Sequence, residues 1–359
     1  MPKLKVFDQT PASLRYTFPA EWEPQAATWF SWPRPEGISF PGKYHTIPEN
    51  LARIMCEIQS RQAVRINVPN ENWEYIVRRD LKEFGCPAKN VFFHHIKTNE
   101  SWCRDHGPAF VVNRAKKKVA IVDWGFNAWG GKYPPYDDDD AVPTRIAEEF
   151  KLPIFYPAHE GRPVIMEGGS VEFNGAGTVL TTTDCLLNKN RNRGLSKQQI
   201  EQYLKDYYGQ RHVAWLTGGI EGDDTDGHID DLARFLSPTK LVMGVEPDTA
   251  DDNHRVLKSV RKQVDKLRDQ DGRPLEIIEI PMPKPIVHDG QRLPATYVNF
   301  LFINRALLVP TFRDKKNDKL ALSILQDHLP RHKVIGIDCT ELIWGLGAIH
   351  CLTQQQPQG

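Results

Sequence analysis

The sequence predicts an α/β chain built from five similar modules set in a ring, with the ring closed by pairing of strands from its N- and C-terminal parts. Three observations predict it. Helical stretches recur, each followed by a short β-rich run; hairpin-like strand pairs sit between them; and residues of reactive type return at one position of a repeat of about sixty residues. Alternation of strand and helix also fits an ordinary open α/β sheet, which is the alternative.

The helix-then-strand units come in order along the chain. PENLARIMCEIQSR at 48–61 precedes AVRINVP, and AVPTRIAEEFK at 141–151 precedes PIFYP. LSKQQIEQYLKDYYG at 195–209 offers Ser196 as an N-cap and Gly209 as a stop, and leads into HVAWLTG. DDNHRVLKSVRKQVDKLRDQDG at 251–272 leads into LEIIEIP, and NDKLALSILQDHLP at 317–330 into KVIGID. Four hairpins separate them, at 109–124, 170–182, 232–245 and 299–310. A fifth is expected if IHCLT at 349–353 pairs with ATWFSW at 27–32. That pairing would order a terminal segment and cover sheet edges.

Composition narrows the function classes. The 359 residues are 40% hydrophobic and 26% charged, which describes a folded globular protein rather than a disordered one. Lys plus Arg equals Asp plus Glu at 46 each, so no global field draws the protein to nucleic acid or to an anionic membrane. MPKLKVFDQTPASLRY lacks the apolar core of a secretory signal. The apolar run YVNFLFINRALLVP at 297–310 is broken by Asn299, Asn304 and Arg305. A cytoplasmic location is expected, with the six scattered cysteines as free thiols.

Just before successive first strands stand Asp105 in CRDHGP, Glu167 in MEGGS, His228 with Asp230 in DTDGHIDD, and Cys351 in AIHC. From Asp105 to Glu167 to His228 to Cys351 the intervals are 62, 61 and 123 positions, the last close to twice the others. Modules around a pseudo-axis would bring these positions together. A thiol, an imidazole and acids in one cavity suit nucleophilic catalysis with proton transfer through the ring. Acyl transfer would ask for N–H donors at an oxyanion instead. Several carboxylates match a planar guanidinium with its fork of donors.

The residues alone leave blander readings open. Cys351 could be a small buried apolar side chain, DTDGHIDD and MEGGS polar turns, and Arg104 with Asp105 a structural ion pair. Cys103, His106, His94 and His95 lack the second spaced pair of a zinc site, and DDDD at 137–140 reads as a solvated helix start rather than a calcium loop. KNRNRGLSK at 189–197 is basic but without interleaved aromatics, and the aromatic-rich WGFNAWGGKYPPY at 124–136 fits either core packing or the wall of a cation pocket.

WCRDHGP, DWGFNAWGGKYPPY, EGGSVEFNGAGTVLTT, LNKNRN, DGHIDD and GAIHCLTQQQP together closely resemble the agmatine deiminase and bacterial peptidylarginine deiminase family of guanidino-group-modifying enzymes. The resemblance implies a five-bladed α/β propeller, or pentein, of pseudo-fivefold symmetry, a single catalytic domain over residues 1–359, and no metal or organic cofactor. It implies Cys351 as nucleophile, His228 as general acid and base, Asp105 and Asp230 as the grip on the guanidinium, Glu167 supporting or joining that grip, and Trp102 near the substrate. The family's C-terminal motif often reads GGGNIHC; here it is GLGAIHC, with Leu346 and Ala348 as departures that bear on substrate preference. The implied reaction converts agmatine to N-carbamoylputrescine and ammonia through a covalent Cys thiouronium, with deimination of arginine in peptides as the alternative. The four-carbon amine of agmatine would need a second anionic or aromatic contact, for which EGDD at 221–224, ending in Asp224, is one candidate source. The partner is then a small guanidine, not nucleic acid or membrane, and a homo-oligomer is left open. Propellers of this kind that only bind, and transfer of the amidino group to an amine, are the rivals from other classes.

Overall fold

A computed structural model describes residues 4–359. Its regular elements repeat one pattern. Strands Ala109–Asn113, Lys118–Val122 and Ile154–Phe155 form a sheet whose first pair is antiparallel and whose second is parallel. The same pattern returns in Val171–Phe173, Thr178–Thr182 and His212–Leu216, then in Ala233–Ser237, Lys240–Val245 and Glu276–Pro281, and again in Leu301–Ile303, Ala306–Thr311 and Lys333–Asp338. Parallel neighbours need a crossover, and a helix supplies each one: Val142–Phe150, Lys197–Tyr208, Asp252–Val264 and Lys315–His328.

A four-stranded sheet joins the two ends of the sequence. Thr353–Pro357 lies antiparallel to Gln25–Ser31, with Phe30 opposite Thr353 and Thr28 opposite Gln355. Gln25–Ser31 then runs parallel to Ala63–Asn67 after the crossover helix Ile47–Gln59. The pairing partner expected from the sequence was IHCLT, but Ile349–Leu352 form a turn and the strand runs through the glutamines. Cys351 thereby keeps the position just before a strand that Asp105 and Asp230 occupy in their own modules.

Local sequence explains the helices. In Ile47–Gln59, Pro48 sits in the first turn, where a missing N–H costs nothing, and Ile47, Leu51, Ile54, Met55 and Ile58 make one buried stripe. Ser196 and Gln199 form a reciprocal capping box, and Gly209 ends that helix at φ 67°. The helix expected over 251–272 stops at Val264. Asp269 stops any continuation by accepting the backbone N–H groups of Asp271 and Arg273, which closes a turn.

Two further elements extend the first sheet, the helix Glu71–Glu83, capped by Asn70, and the strand Val91–His94. DDDD at 137–140 is helical but not solvated throughout. Asp139 is buried and accepts from the N–H groups of Asn99 and Glu100. Among the described residues no helix is long and apolar enough to cross a membrane.

Candidate active site

The short turns that precede the first strands of the sheets meet at one place. Arg104 N donates to Cys351 O at 3.1 Å, tying the Cys103–His106 turn to the C-terminal one. Gly169 N donates to Asp105 Oδ1 at 2.9 Å. A methyl group added to Gly169 would lie 2.6 Å from His228 Nδ1, 2.9 Å from Asp105 Oδ1 and 3.1 Å from Asp230 Oδ2. Only glycine fits where these three groups close in. Asp230 Oδ2 in turn is 3.8 Å from Cys351 Sγ.

Each group is held from behind. Asp105 Oδ2 accepts from Trp129 Nε1 at 3.0 Å, a contact supplied by the aromatic-rich loop. His228 lies with Nδ1 3.8 Å from Asp105 and Nε2 3.8 Å from Glu167. Glu167 is wholly buried, paired with Arg191 at 2.6 Å, and accepts from Cys185 Sγ at 3.6 Å. Asp230 Oδ2 meets His350 Nδ1 at 2.7 Å, while its Oδ1 has no hydrogen-bond partner. Cys351 Sγ receives Asn299 Nδ2 at 3.0 Å.

Burial and neighbours set the charges. Burial pushes the Cys351 thiol well above its usual range, and Asp230, Asp231 and Asp105 push it the same way. Burial opposes charge on His228, but Asp105, Cys185 and Glu167 outweigh it and raise the imidazole well above its ordinary value. Asp105 is lifted to about 6 by burial, against the pull of His228. Asp230 stays low because His350, His228 and Arg234 offset its burial. The resting pattern is therefore a neutral thiol, a protonated His228 and an ionised Asp230.

A cavity of about 270 Å³ opens onto Asp105 and Cys351. Trp102, Trp129, Leu293, Trp344 and Leu346 give it apolar walls, and Glu100, Asp224 and Asp289 also line it. No Lys or Arg is among its lining residues. Asp224 accepts from the Tyr133 hydroxyl, and Glu100 holds the opposite loop by accepting from the N–H groups of Ile38 and Ser39.

Of the residues singled out in the sequence, Asp105, Cys351, Trp102 and Asp224 line this cavity. Asp230 and His228 stand directly behind that surface, and Glu167 lies one layer further out, against His228. Arg104 pairs with Glu21 and with Gln354 and Gln355, not with Asp105. Arg191, from the basic run, is buried on Glu167. Sequence reasoning passed over Asn299, His350 and Glu21, whereas Trp129, from the aromatic-rich run at 124–136, lines the cavity as one of the two readings of that run expected. Asn299 had a signal: the doubled interval between His228 and Cys351 marks a skipped module, and Asn299 precedes its first strand.

A buried thiol, a charged imidazole and two carboxylates around a cavity without a cationic lining define a site for a flat cationic group open to nucleophilic attack. Comparison with known proteins agrees with that class. Residues 17–357 match the family described as Porphyromonas-type peptidyl-arginine deiminase, and the chain belongs to that family. It is 34% identical to the agmatine deiminase of Medicago truncatula, with 98% of each chain covered. Its structure is similar to the agmatine deiminase of Enterococcus faecalis, at a TM-score of 0.90 and 31% identity, covering 99% of this chain and 100% of that one. It is also similar to an agmatine deiminase of C. jejuni with substrate bound, at a TM-score of 0.85 and 33% identity, with 96% of each chain covered.

Proposed function

We propose that this protein is a deiminase that hydrolyses the guanidinium of agmatine to N-carbamoylputrescine and ammonia. The observation that carries the choice of substrate is the cavity lining. A guanidinium placed at Asp105 and beside Asp230 meets carboxylates, and a methylene chain meets tryptophan and leucine. At the outer part the wall offers acids and no Lys or Arg, which suits an amine and not the carboxylate of free arginine. The relatives named above are agmatine deiminases over nearly their whole length, which supports the same reading.

The residues suggest the order of events. Asp230 Oδ1, left without a partner, accepts from a guanidinium N–H, and Asp105 takes the other edge. The arriving cation offsets the burial and the carboxylates that hold Cys351 neutral, so the thiol gives its proton to solvent when substrate is present rather than before. The thiolate attacks the guanidinium carbon. His228, already protonated, gives its proton to the departing nitrogen, and ammonia leaves a covalent thiouronium. His228, now neutral, takes a proton from water as it attacks the same carbon, and the thiolate departs from the urea product. Glu167, backed by Arg191, orients and charges His228 from outside the cavity.

Five sheets of one pattern, with the first completed by the last strand of the sequence, support reading the chain as one domain, a five-bladed propeller of pseudo-fivefold symmetry. Ammonia release from agmatine, free arginine and an arginyl peptide, measured side by side with no amine acceptor added, tests the function. Agmatine should turn over fastest. Faster turnover of the peptide would overturn the choice of substrate, and dependence on an added acceptor would make the protein an amidino transferase.

A further inference from the structure

Behind Asp230, His350 is held by carboxylates at both ring nitrogens. His350 Nδ1 meets Asp230 Oδ2 at 2.7 Å and Nε2 meets Glu21 Oε2 at 2.8 Å, and both side chains are almost wholly buried. Carboxylates that stay ionised accept but do not donate, so both contacts are satisfied only when the ring donates from both nitrogens. Glu21 is fixed in its turn by Arg234 Nη2 at 3.0 Å and by the N–H of Phe302 at 2.7 Å. His350 itself is tied down at its backbone, where its N–H donates to Asn299 Oδ1 at 3.0 Å and its carbonyl accepts from Arg104 Nε at 3.3 Å.

We propose that His350 and Glu21 are positioning residues for the deimination reaction: the imidazole, braced by Glu21, occupies Asp230 Oδ2 and so reserves Oδ1 for the guanidinium of the substrate. This rests on the deiminase reading given above. Oδ1 has no partner in the protein, while Oδ2 is engaged and lies 3.8 Å from the Cys351 sulfur. A carboxylate otherwise free to rotate about its last torsion is thereby held in one orientation, with one oxygen for the protein and one for the ligand.

Charge follows from the same contact. Around Asp230 stand His350, His228 and Arg234, which favour its ionised form, and Asp105, Asp231 and Cys351, which oppose it. Around His350 stand Glu21, Asp230 and Glu172 as anions and Arg104 and Arg234 as cations. His228, Arg234 and Arg104 still face Asp230 when the ring is removed, but the hydrogen bond and charge of His350 are gone, so protonation of Asp230 moves to higher pH. Activity that needs Asp230 ionised is then lost at a higher pH as the solution is acidified.

Two near-isosteres separate the roles of the two nitrogens. The Asn side-chain nitrogen stands where Nδ1 does, and the Gln nitrogen where Nε2 does. His350→Asn keeps a donor to Asp230 and loses the brace; His350→Gln keeps the contact to Glu21 and loses Asp230. We expect kcat/KM for agmatine at pH 8.5 to fall less than about tenfold in His350→Asn and more than about 100-fold in His350→Gln. Asp105, lifted to about 6, sets the first break of the acid limb of kcat/KM, and the further steepening that marks protonation of Asp230 should come about one pH unit higher in His350→Asn and in Glu21→Gln than in the wild type. Equal losses in the two His350 variants, or a second break that stays where it is in the wild type, would overturn the proposal and leave these residues a purely structural role. A crystal structure of His350→Gln needs no substrate: Asp230 turned away from its wild-type orientation is expected, and an unmoved Asp230 counts against the proposal. If wild-type protein releases no ammonia from agmatine, the deiminase reading fails, and that structure still decides whether His350 holds Asp230.

Discussion

Two buried clusters of acids flank the contact between Asp230 and His350, and they are finished differently. On the inner side, Glu21 and Glu172 are matched by Arg104, Arg234 and His350, with Gln354 and Gln355 taking further Arg104 donors. On the cavity side, Asp105, Asp230 and Asp231 gather around Cys351 with no Arg among the cavity's lining residues, and Asp230 Oδ1 is unpaired. Buried charge is costly unless compensated. The inner cluster is compensated by the protein. The cavity cluster is compensated only in part, by His228, His350 and Arg234, and leaves Asp230 Oδ1 for a donor from outside, so an unmatched carboxylate oxygen separates a site from a scaffold even where the residue types are the same.

The sharpest way to test that difference is to remove one member from each cluster. Cys351→Ala should lower ammonia release from agmatine on the order of 10⁴-fold or more while the protein stays folded, since a nucleophile has no substitute. Agmatine should still bind, because Asp105 and Asp230 remain; calorimetric titration of the variant checks this. Residual turnover within about 100-fold of wild type would remove Cys351 from the chemistry. Arg234→Ala, in the inner cluster, should act on stability as well as on the setting of Asp230. Arg234 is wholly buried between Glu21 and Glu172, at 3.0 and 2.8 Å, and its loss strands both carboxylates. About 3–5 kcal/mol should disappear from the unfolding free energy in urea. A change under about 1 kcal/mol would show that the cluster is not the scaffold described here.

Much of this contrast was legible in the sequence on one side only. The cavity residues stand in short turns that repeat at a regular spacing, so Asp105, His228 and Cys351 announce themselves together. The inner cluster has no such period. Glu21 meets His350 and Arg234 across 329 and 213 positions, and nothing local in AEWEP marks one glutamate as buried. Helices and hairpins were legible because the apolar stripe and the turn residues are local signals. The end of the helix at Val264 was not, because the polar run beyond it suits a helix until Asp269 captures two backbone donors. The terminal strand was displaced for a related reason: the pairing expected of IHCLT rests on β-branched residues, a local signal, whereas Gln354 and Gln355 are buried as distant partners of Arg104.

Acid sharpens the comparison without any substitution. Asp105 titrates near 6, whereas Asp230 is held lower by His350, His228 and Arg234. Asp105 is raised above the unfolded value, so it gains its proton first as pH falls and stops matching the guanidinium. In wild-type protein kcat/KM for agmatine should therefore fall about tenfold per pH unit below pH about 6. Glu21, in the inner cluster, should not respond there, because burial is outweighed by Arg234, His350 and Arg104, which hold it far below that range. Activity should drop before unfolding does, and circular dichroism recorded beside the rate profile separates the two. Coincident loss of activity and structure near pH 6 would tie the two clusters together.

The smallest expected effect falls on the cavity wall, at Leu346. It holds a left-handed backbone, φ 67° and ψ 17°, where glycine is the usual occupant, and it lines the cavity beside Gly345 and Gly347. Those two glycines cannot be replaced, since a methyl group would lie 2.8 Å and 2.6 Å from the Trp102 ring. Leu346 bears a side chain that the backbone disfavours by about 1 kcal/mol. Leu346→Gly relieves that strain and adds a similar entropy cost through the unfolded chain, so the melting temperature should move by less than about 2 °C. What remains is the contact with the substrate's methylene chain. Its loss should raise KM for agmatine about 5–10-fold with kcat little changed, and should favour a bulkier guanidine such as an arginyl peptide relative to agmatine. An unchanged KM together with unchanged preference would mean that the wall at Leu346 does not touch the substrate, and that selectivity lies with Asp224 and the acids around it.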